Sequence, residues 1–329
     1  MNVLNAGGVR LAGVVACLPK TVVDMTVALG GIYGEKAAGI VQATGIKVKR
    51  LADPGVNVVD LCVAAAERVF EACGVSPEAV GTVIGVSFTN EDRMPCMACQ
   101  AQARLGLPRE VVAFDVSLAC SGWGYGLYLA GLLARQTGKR VLLLDGDVQS
   151  AFLDPSDAAT VPVLADGGTA ALIEPCEAGG DWRFAFLSDG AQGAALRLPR
   201  GGTIAMDGFG VFRFVAKDVT AFLRDFMAAT GIDGGKIDAF VPHQANVFMI
   251  RQLAKALMIP EGKLWISADR IGNISSASIP ATLAVVGAAR SGTRQVLFSG
   301  FGGGLSVSAG VLTVDGRCRL EVFDYAGRA

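Results

Sequence analysis

Three side chains that could do chemistry stand at related places in the 329-residue chain. Cys120 lies in Asp115-Val116-Ser117-Leu118-Ala119-Cys120-Ser121-Gly122, where an apolar strand over 111–116 gives way to a helix that continues to Ala134. Unpaired N–H groups and partial positive charge at a helix N-terminus favour a thiolate and lower its pKa, which would make Cys120 a nucleophile. An inert buried thiol is the other reading, and position alone does not choose between them. Asn273, 153 residues later, stands at the entry to another helix in Gly272-Asn273-Ile274-Ser275-Ser276-Ala277-Ser278; an asparagine there is commonly an N-cap. His243, in Val241-Pro242-His243-Gln244-Ala245-Asn246, follows a strand over 239–242 and is the only histidine in the sequence. Any imidazole that activates Cys120 must be this one, although a lone histidine is often structural. Phe301-Gly302-Gly303-Gly304 follows a strand over 296–299, and glycines there let backbone N–H groups approach a ligand as an oxyanion hole requires. Neither this run nor Gly122-Trp123-Gly124-Tyr125-Gly126 completes the G-x-G-x-x-G of a dinucleotide site.

The elements that must position these residues repeat. Residues 80–147 laid against 237–302 give the same order of features at an offset near 153. An apolar strand (83–87, then 239–242) leads to a helix ending at Leu105-Gly106-Leu107-Pro108 or Leu257-Met258-Ile259-Pro260. A second strand (111–116, then a strand-like 263–267) enters a charge-free helix, which emerges into a third strand (141–144, then 296–298). Alternating strands and helices predict two α/β halves with mixed or parallel sheets. The halves would meet in the loop-rich region 174–181, giving units 1–175 and 176–329. A first strand is predicted over 9–17, and a helix over 58–73 that Gly74 stops.

Composition restricts the function classes. The chain is 52% hydrophobic and only 18% charged, with 43 glycines, so it must bury a large core. Residues 116–134 and 271–289 are each 19 long without a charge, about the length that spans a bilayer. Their serines, glycines and a proline, without basic flanks or aromatic belts, favour helices buried within protein. Val14-Val15-Ala16-Cys17 resembles a lipoprotein cleavage site, but its apolar run is short and Pro19 follows closely. Eight cysteines in no regular framework suit a reducing cytoplasm, and Cys96 and Cys99 lack the second pair that a zinc site needs. With 29 basic and 30 acidic residues and no basic run, nucleic acid is not an expected partner.

Four motifs, in this order and over nearly the whole length, resemble the β-ketoacyl-acyl-carrier-protein synthase III family of the thiolase-like superfamily. They are Ala119-Cys120-Ser121-Gly122, Pro242-His243-Gln244-Ala245-Asn246, Gly272-Asn273 running into Ser275-Ser276-Ala277-Ser278-Ile279-Pro280, and Phe301-Gly302-Gly303-Gly304. Weaker echoes are Thr44-Gly45-Ile46 and Ala165-Asp166-Gly167-Gly168-Thr169-Ala170. The resemblance implies a five-layered αβαβα fold from two duplicated halves, a cytoplasmic homodimer, and a decarboxylating Claisen condensation that runs by ping-pong exchange without metal or redox cofactor. It implies that Cys120 takes an acyl group from acyl-CoA. His243 and Asn273 then stabilise the enolate left when a malonyl thioester loses carbon dioxide, and backbone N–H groups of Cys120 and Gly303 hold the thioester oxyanion.

Departures from the family pattern bear on the partners. Where familiar members carry an arginine for the acyl carrier protein, this chain has Phe248, leaving Arg213, Arg251 and Lys255 as candidate carrier contacts. The tryptophan that stacks on coenzyme A is absent before Thr44. Met94 stands where the family places a pocket-plugging aromatic from the partner subunit, so Met94 and Phe301 are expected to shape the acyl pocket. The condensation would serve fatty-acid initiation or a specialised pathway. Two alternatives are acyl transfer to an oxygen or nitrogen acceptor, and a non-catalytic subunit of a heterodimer.

Overall fold

The strands carry apolar side chains on both faces, and a sheet built from such strands must be covered twice. In Arg140–Val148, Val141 and Leu143 enter one core cluster while Leu142 and Leu144 enter another. In Asp166–Pro175, Ala171 and Ile173 join the first and Ala170 and Leu172 the second. The strand Arg294–Gly302 divides likewise, with Val296 and Phe298 in the shared central cluster and Leu297 in a third. The computed structural model, which describes residues 1–327, accordingly stacks helix, sheet, helix, sheet and helix, the five-layered αβαβα arrangement of a thiolase-like fold.

The first sheet has the order Arg319–Asp324, Val9–Leu18, Asp166–Pro175, Arg140–Val148, Val80–Val86, Val112–Val116. The second has the order Leu4–Asn5, Arg183–Ser188, Ser306–Val314, Arg294–Gly302, Ala239–Pro242. Apart from the terminal strands they match, and each contains the parallel pair that the duplication predicts: Val80–Val86 beside Arg140–Val148, and Ala239–Pro242 beside Arg294–Gly302. Each chain end crosses to the other half's sheet. Leu4–Asn5 pairs with Arg183–Ser188, and Arg319–Asp324 runs parallel to Val9–Leu18.

The predicted helix over 58–73 is present as Val58–Cys73, opened by an Asn57–Asp60 capping box and closed by Gly74 at φ 62°. One element differs. The strand-like 263–267 is reduced to a single parallel bridge between Phe240 and Leu264. The buried Gln244 side chain explains this: its Oε1 accepts the N–H groups of Ser267 and Ala268 at 2.9 and 3.2 Å, so they cannot extend a ladder.

The charge-free stretches are helical only in part, because a strand end and a turn precede the first helix and a bridge and a 3-10 turn, Ser275–Ala277, precede the second. Their helices are Gly122–Thr137 and Ser278–Gly287, and among the described residues no helix is long and apolar enough to cross a membrane. Pro280 sits in the first turn of the second helix, where its missing N–H would have had no helical partner. Trp123, Leu127, Ala130, Ile279 and Leu283 from these helices fill the central cluster between the sheets. The packing is tight enough to require glycine. A Cβ on Gly124 would lie 2.4 Å from Ser308 Oγ and 2.5 Å from Ser308 Cβ. Gly124→Ala should therefore destabilise the fold by about 1–3 kcal/mol, read as a lower denaturant midpoint; an unchanged midpoint would contradict this packing.

Candidate active site

Cys120, His243, Asn273, Phe301 and Gly303 line one cavity of about 570 Å³. Cys120 follows the strand Val112–Val116 and precedes the helix Gly122–Thr137. The N–H of Gly122 bonds to the Ala119 carbonyl at 2.7 Å and closes the turn that carries the thiol. The other half pins this loop: Ser121 Oγ and Ser306 Oγ are 2.7 Å apart, and Ser308 Oγ donates to the Ser121 carbonyl at 2.8 Å. Gly302 passes so close that a Cβ there would lie 2.8 Å from Cys120 Cβ and 3.0 Å from its Sγ.

Asn273 is pinned in the reverse sense. Its N–H donates to the Val163 carbonyl, and its carbonyl accepts from Ala165 N at 2.9 Å and from Gln149 Nε2 at 2.8 Å. Its side-chain Oδ1 accepts the N–H of Ser275 at 3.0 Å, which fixes the amide orientation, and Nδ2 donates to the Ala245 carbonyl at 3.3 Å. Nδ2 carries a second hydrogen that remains available to a ligand.

His243 is 2% exposed, with Phe301 edge-on at 5.4 Å. Its Nδ1 lies 3.0 Å from the Ser275 carbonyl and 2.9 Å from Ser278 Oγ. A carbonyl only accepts, so it suits the tautomer protonated at Nδ1. Ser278 Oγ already accepts the Gln244 N–H at 3.1 Å and has its own proton to give to an unprotonated Nδ1, which suits the tautomer bearing Nε2–H. Either neutral form is therefore supported.

Burial dominates the electrostatics. It pushes the Cys120 thiol up to about 12, with the Asp147 charge as second cause, while a hydrogen bond from Ser275 lowers it. The direction is opposite to the lowering expected of a thiol ahead of a helix N-terminus. Burial also pulls His243 down to about 4. Two acids lie beneath the site. Asp145 and Asp147 alternate on the face of Arg140–Val148 that carries Val141 and Leu143 toward the central layer, and both are 0% exposed. Ser276 Oγ donates to Asp145 at 2.6 Å. Asp147 Oδ1 accepts from Ser87 Oγ, Phe88 N, Thr89 N and Thr89 Oγ1. Burial raises both carboxyls, Asp147 to about 6.

A nucleophile loop, a histidine strand end, an asparagine turn and a glycine-rich strand end thus converge on one cavity. Residues 114–192 match the model of 3-oxoacyl-[acyl-carrier-protein] synthase III, and residues 227–314 match that of its C-terminal region. A β-ketoacyl-[acyl-carrier-protein] synthase III of Desulfitobacterium hafniense is 34% identical over 298 residues, covering 83% of this chain and 88% of the relative. The chain belongs to the 3-oxoacyl-acyl-carrier-protein synthase III family. A Rhodopirellula baltica member is 31% identical, with 92% of this chain and 97% of the relative covered. A solved 3-oxoacyl-(acyl-carrier protein) synthase from Burkholderia xenovorans superposes with a TM-score of 0.94 at 31% identity, over 98% of this chain and 99% of that one. The priming β-ketosynthase of the R1128 polyketide pathway superposes with a TM-score of 0.86 at 29% identity, over 94% and 97% of the two chains. Like the family, this chain is a condensing acyltransferase.

The remaining expected site residues of this synthase III member lie outside the cavity wall. Met94 is 85% exposed and does not line its own chain's cavity. Arg213, Arg251 and Lys255 are exposed on the helices Gly208–Phe214 and Val247–Ala256. Arg251 pairs with Glu261 at 3.1 Å. Phe248 is half-exposed and stacks on Phe212, ring centres 6.3 Å apart. Ser275, Ser278 and Gln244 stand in the motifs without an expected role, and Asp145 and Asp147 stand outside them. The one signal was the pair of acids inside an otherwise apolar strand.

The single imidazole gives a direct check. An unfolded histidine protonates near 6.5, whereas His243 stays neutral down to about 4, so its burial costs stability progressively as the pH falls through that window. The lone histidine resonance should hold its chemical shift from pH 8 to 5 by NMR and titrate near 4; a midpoint near 6.5 would refute the burial.

Proposed function

We propose that Cys120 attacks an acyl-CoA thioester, and that the resulting acyl-enzyme condenses with the carbanion of a malonyl thioester. The observation that supports this most is the convergence of Cys120, His243 and Asn273 on one cavity otherwise lined largely by apolar groups. The thiolate adds to the thioester carbonyl while the N–H groups of Cys120 and Gly303 receive the oxyanion, and coenzyme A leaves as thiol. Loss of carbon dioxide from the malonyl group leaves an enolate, to which the free Nδ2 hydrogen of Asn273 and the Nε2–H tautomer of His243 donate. The carbanion displaces Cys120 from its acyl group and yields a β-ketoacyl thioester. Every bond is made with the electron pair of a thiolate or an enolate, so the scheme uses no metal or redox cofactor.

Incubation with a panel of acyl-CoA donors followed by intact-mass analysis should give one acyl adduct on Cys120, absent in Cys120→Ala. A chain left unmodified by every donor would sink the scheme. In Asn273→Ala, release of carbon dioxide from a malonyl thioester should fall by about 10²-fold or more, the scale of a lost oxyanion donor, while acylation continues; equal loss of both steps would refute the division of roles.

The malonyl acceptor in this reading is carried by an acyl carrier protein that docks on Arg213 and Lys255, and the reaction is cytoplasmic, where acyl-CoA is supplied. It also takes two copies of the chain. Val112–Val116 is the last strand of the first sheet, with one neighbour and Val112 47% exposed, and an open apolar edge is a template for pairing with a second strand. That pairing would explain the exposure of Met94, whose place is then the partner's acyl pocket. Light scattering should give twice the chain mass, and a single-chain mass would contradict it.

A further inference from the structure

Ser275 bonds to two members of the constellation and bears on the charge of the third. Its carbonyl accepts from His243 Nδ1 in one tautomer at 3.0 Å, and its N–H donates to Asn273 Oδ1 at 3.0 Å. Its hydroxyl lowers both the Cys120 thiol and the Asp147 carboxyl against the effect of burial. The residue is fully buried and holds φ 57°, a left-handed conformation that is uncommon for serine and that clusters at functional sites. Four donors occupy Asp147 Oδ1, whereas Asp147 Oδ2 and Ser275 Oγ are buried atoms without an aligned hydrogen bond. The hydroxyl is close enough to both neighbours to interact and bonds well to neither at rest. Catalytic hydrogen bonds are often loose before substrate binds.

We propose that Ser275 relays the Cys120 proton to Asp147 during acylation. The S–H bond breaks with its electron pair left on sulfur. The proton passes to Ser275 Oγ as that hydroxyl's own proton passes to Asp147 Oδ2, so Asp147 becomes neutral. The thiolate adds to the thioester, the departing thiolate takes a proton from solvent, and Asp147 returns its proton by the same path when condensation releases Cys120. The balance of charge favours this acceptor. An ionised Asp147 opposes a thiolate beside it, and transfer removes that opposition as the thiolate forms. His243, pulled to about 4, holds a proton less tightly than Asp147 at about 6. The titratable groups coupled by charge to Asp147 are Asp145 on its own strand, Cys120 on the nucleophile loop and Cys62 on the outer helix Val58–Cys73; the 87–89 loop supplies only uncharged donors.

The proposal rests on Cys120 being the nucleophile, and a readout that needs no acyl donor separates the two claims. Alkylation of Cys120 by iodoacetamide, followed by peptide mapping from pH 5 to 8, should rise in rate through about pH 6 as Asp147 ionises. Ser275→Ala and Asp147→Asn should each slow alkylation and acyl-CoA acylation by about 10²-fold, within the range of general-base catalysis, and lose the rise near pH 6. Ser275→Gly removes the hydroxyl while relaxing the left-handed backbone, so it should be as slow as Ser275→Ala without loss of thermal stability. If Asp147 acts only as an opposing charge, Asp147→Asn will alkylate faster than the wild type, and that result overturns the relay. Wild-type rate and pH profile in Ser275→Ala overturn it too. A wild-type Cys120 that alkylates with the predicted profile yet accepts no acyl group would overturn the functional reading and leave the relay standing.

Discussion

Each half of the molecule holds the other half's reactive loop, and the geometry of the cavity follows from that exchange. Cys120 belongs to the first half, yet Ser306 and Ser308 of the second grip its loop through Ser121. Asn273 belongs to the second half, yet Val163, Ala165 and Gln149 of the first hold its backbone, and Asp145 holds the adjoining Ser276. The two helix entries also meet directly, since a Cβ on Gly122 would stand 3.5 Å from Ser276 Oγ. Neither half could place its reactive side chain alone. The terminal strands extend the exchange by adding each chain end to the opposite sheet.

The same central position imposes an electrostatic cost. A dry layer between two sheets disfavours every charge, which pushes the thiol up, the imidazole down and both aspartates up. The resting site is therefore a protonated thiol beside a neutral ring. Such a site keeps its nucleophile protonated at rest, and it develops a thiolate only as the Cys120 proton leaves and an electrophile takes up the negative charge. Asp147 Oδ1 and His243 Nδ1 survive here because neighbours satisfy them. The four donors on Asp147 Oδ1 and the two roles of Ser278 toward Gln244 and His243 are what keep the ionisable groups folded in.

Much of this was legible from residue spacing. The offset between Cys120 and Asn273 encodes the duplication, because repeating an α/β unit puts the same helix entry at the same end of both central helices. The helix Val58–Cys73 could be read to the residue, since Asn57 and Gly74 mark its ends by local chemistry. What spacing could not convey was contact across the halves. Nothing near Gln244 in sequence says that its amide will consume the N–H groups of Ser267 and Ala268 and so dissolve a strand. Nothing near Cys120 says that the charge of Asp147, from another strand, will add to burial in raising its thiol.

The surface beside the cavity obeys a different logic from the interior. Gly208 and Val211 of the helix Gly208–Phe214 reach the cavity wall, as does Met249 of Val247–Ala256, so the outer faces of these two helices border the approach to Cys120. Where the family pattern leads one to expect an arginine, Phe248 stacks on Phe212 above an apolar groove. Arg251 is engaged with Glu261, while Arg213 and Lys255 carry no ion pair among the described residues. Two exposed cations beside an aromatic pair steer an acidic partner less strongly than a row of arginines, but they offer apolar area that salt does not screen. The carrier protein proposed to dock here would accordingly be held more by contact than by long-range attraction, and would need an apolar side chain as well as acidic ones.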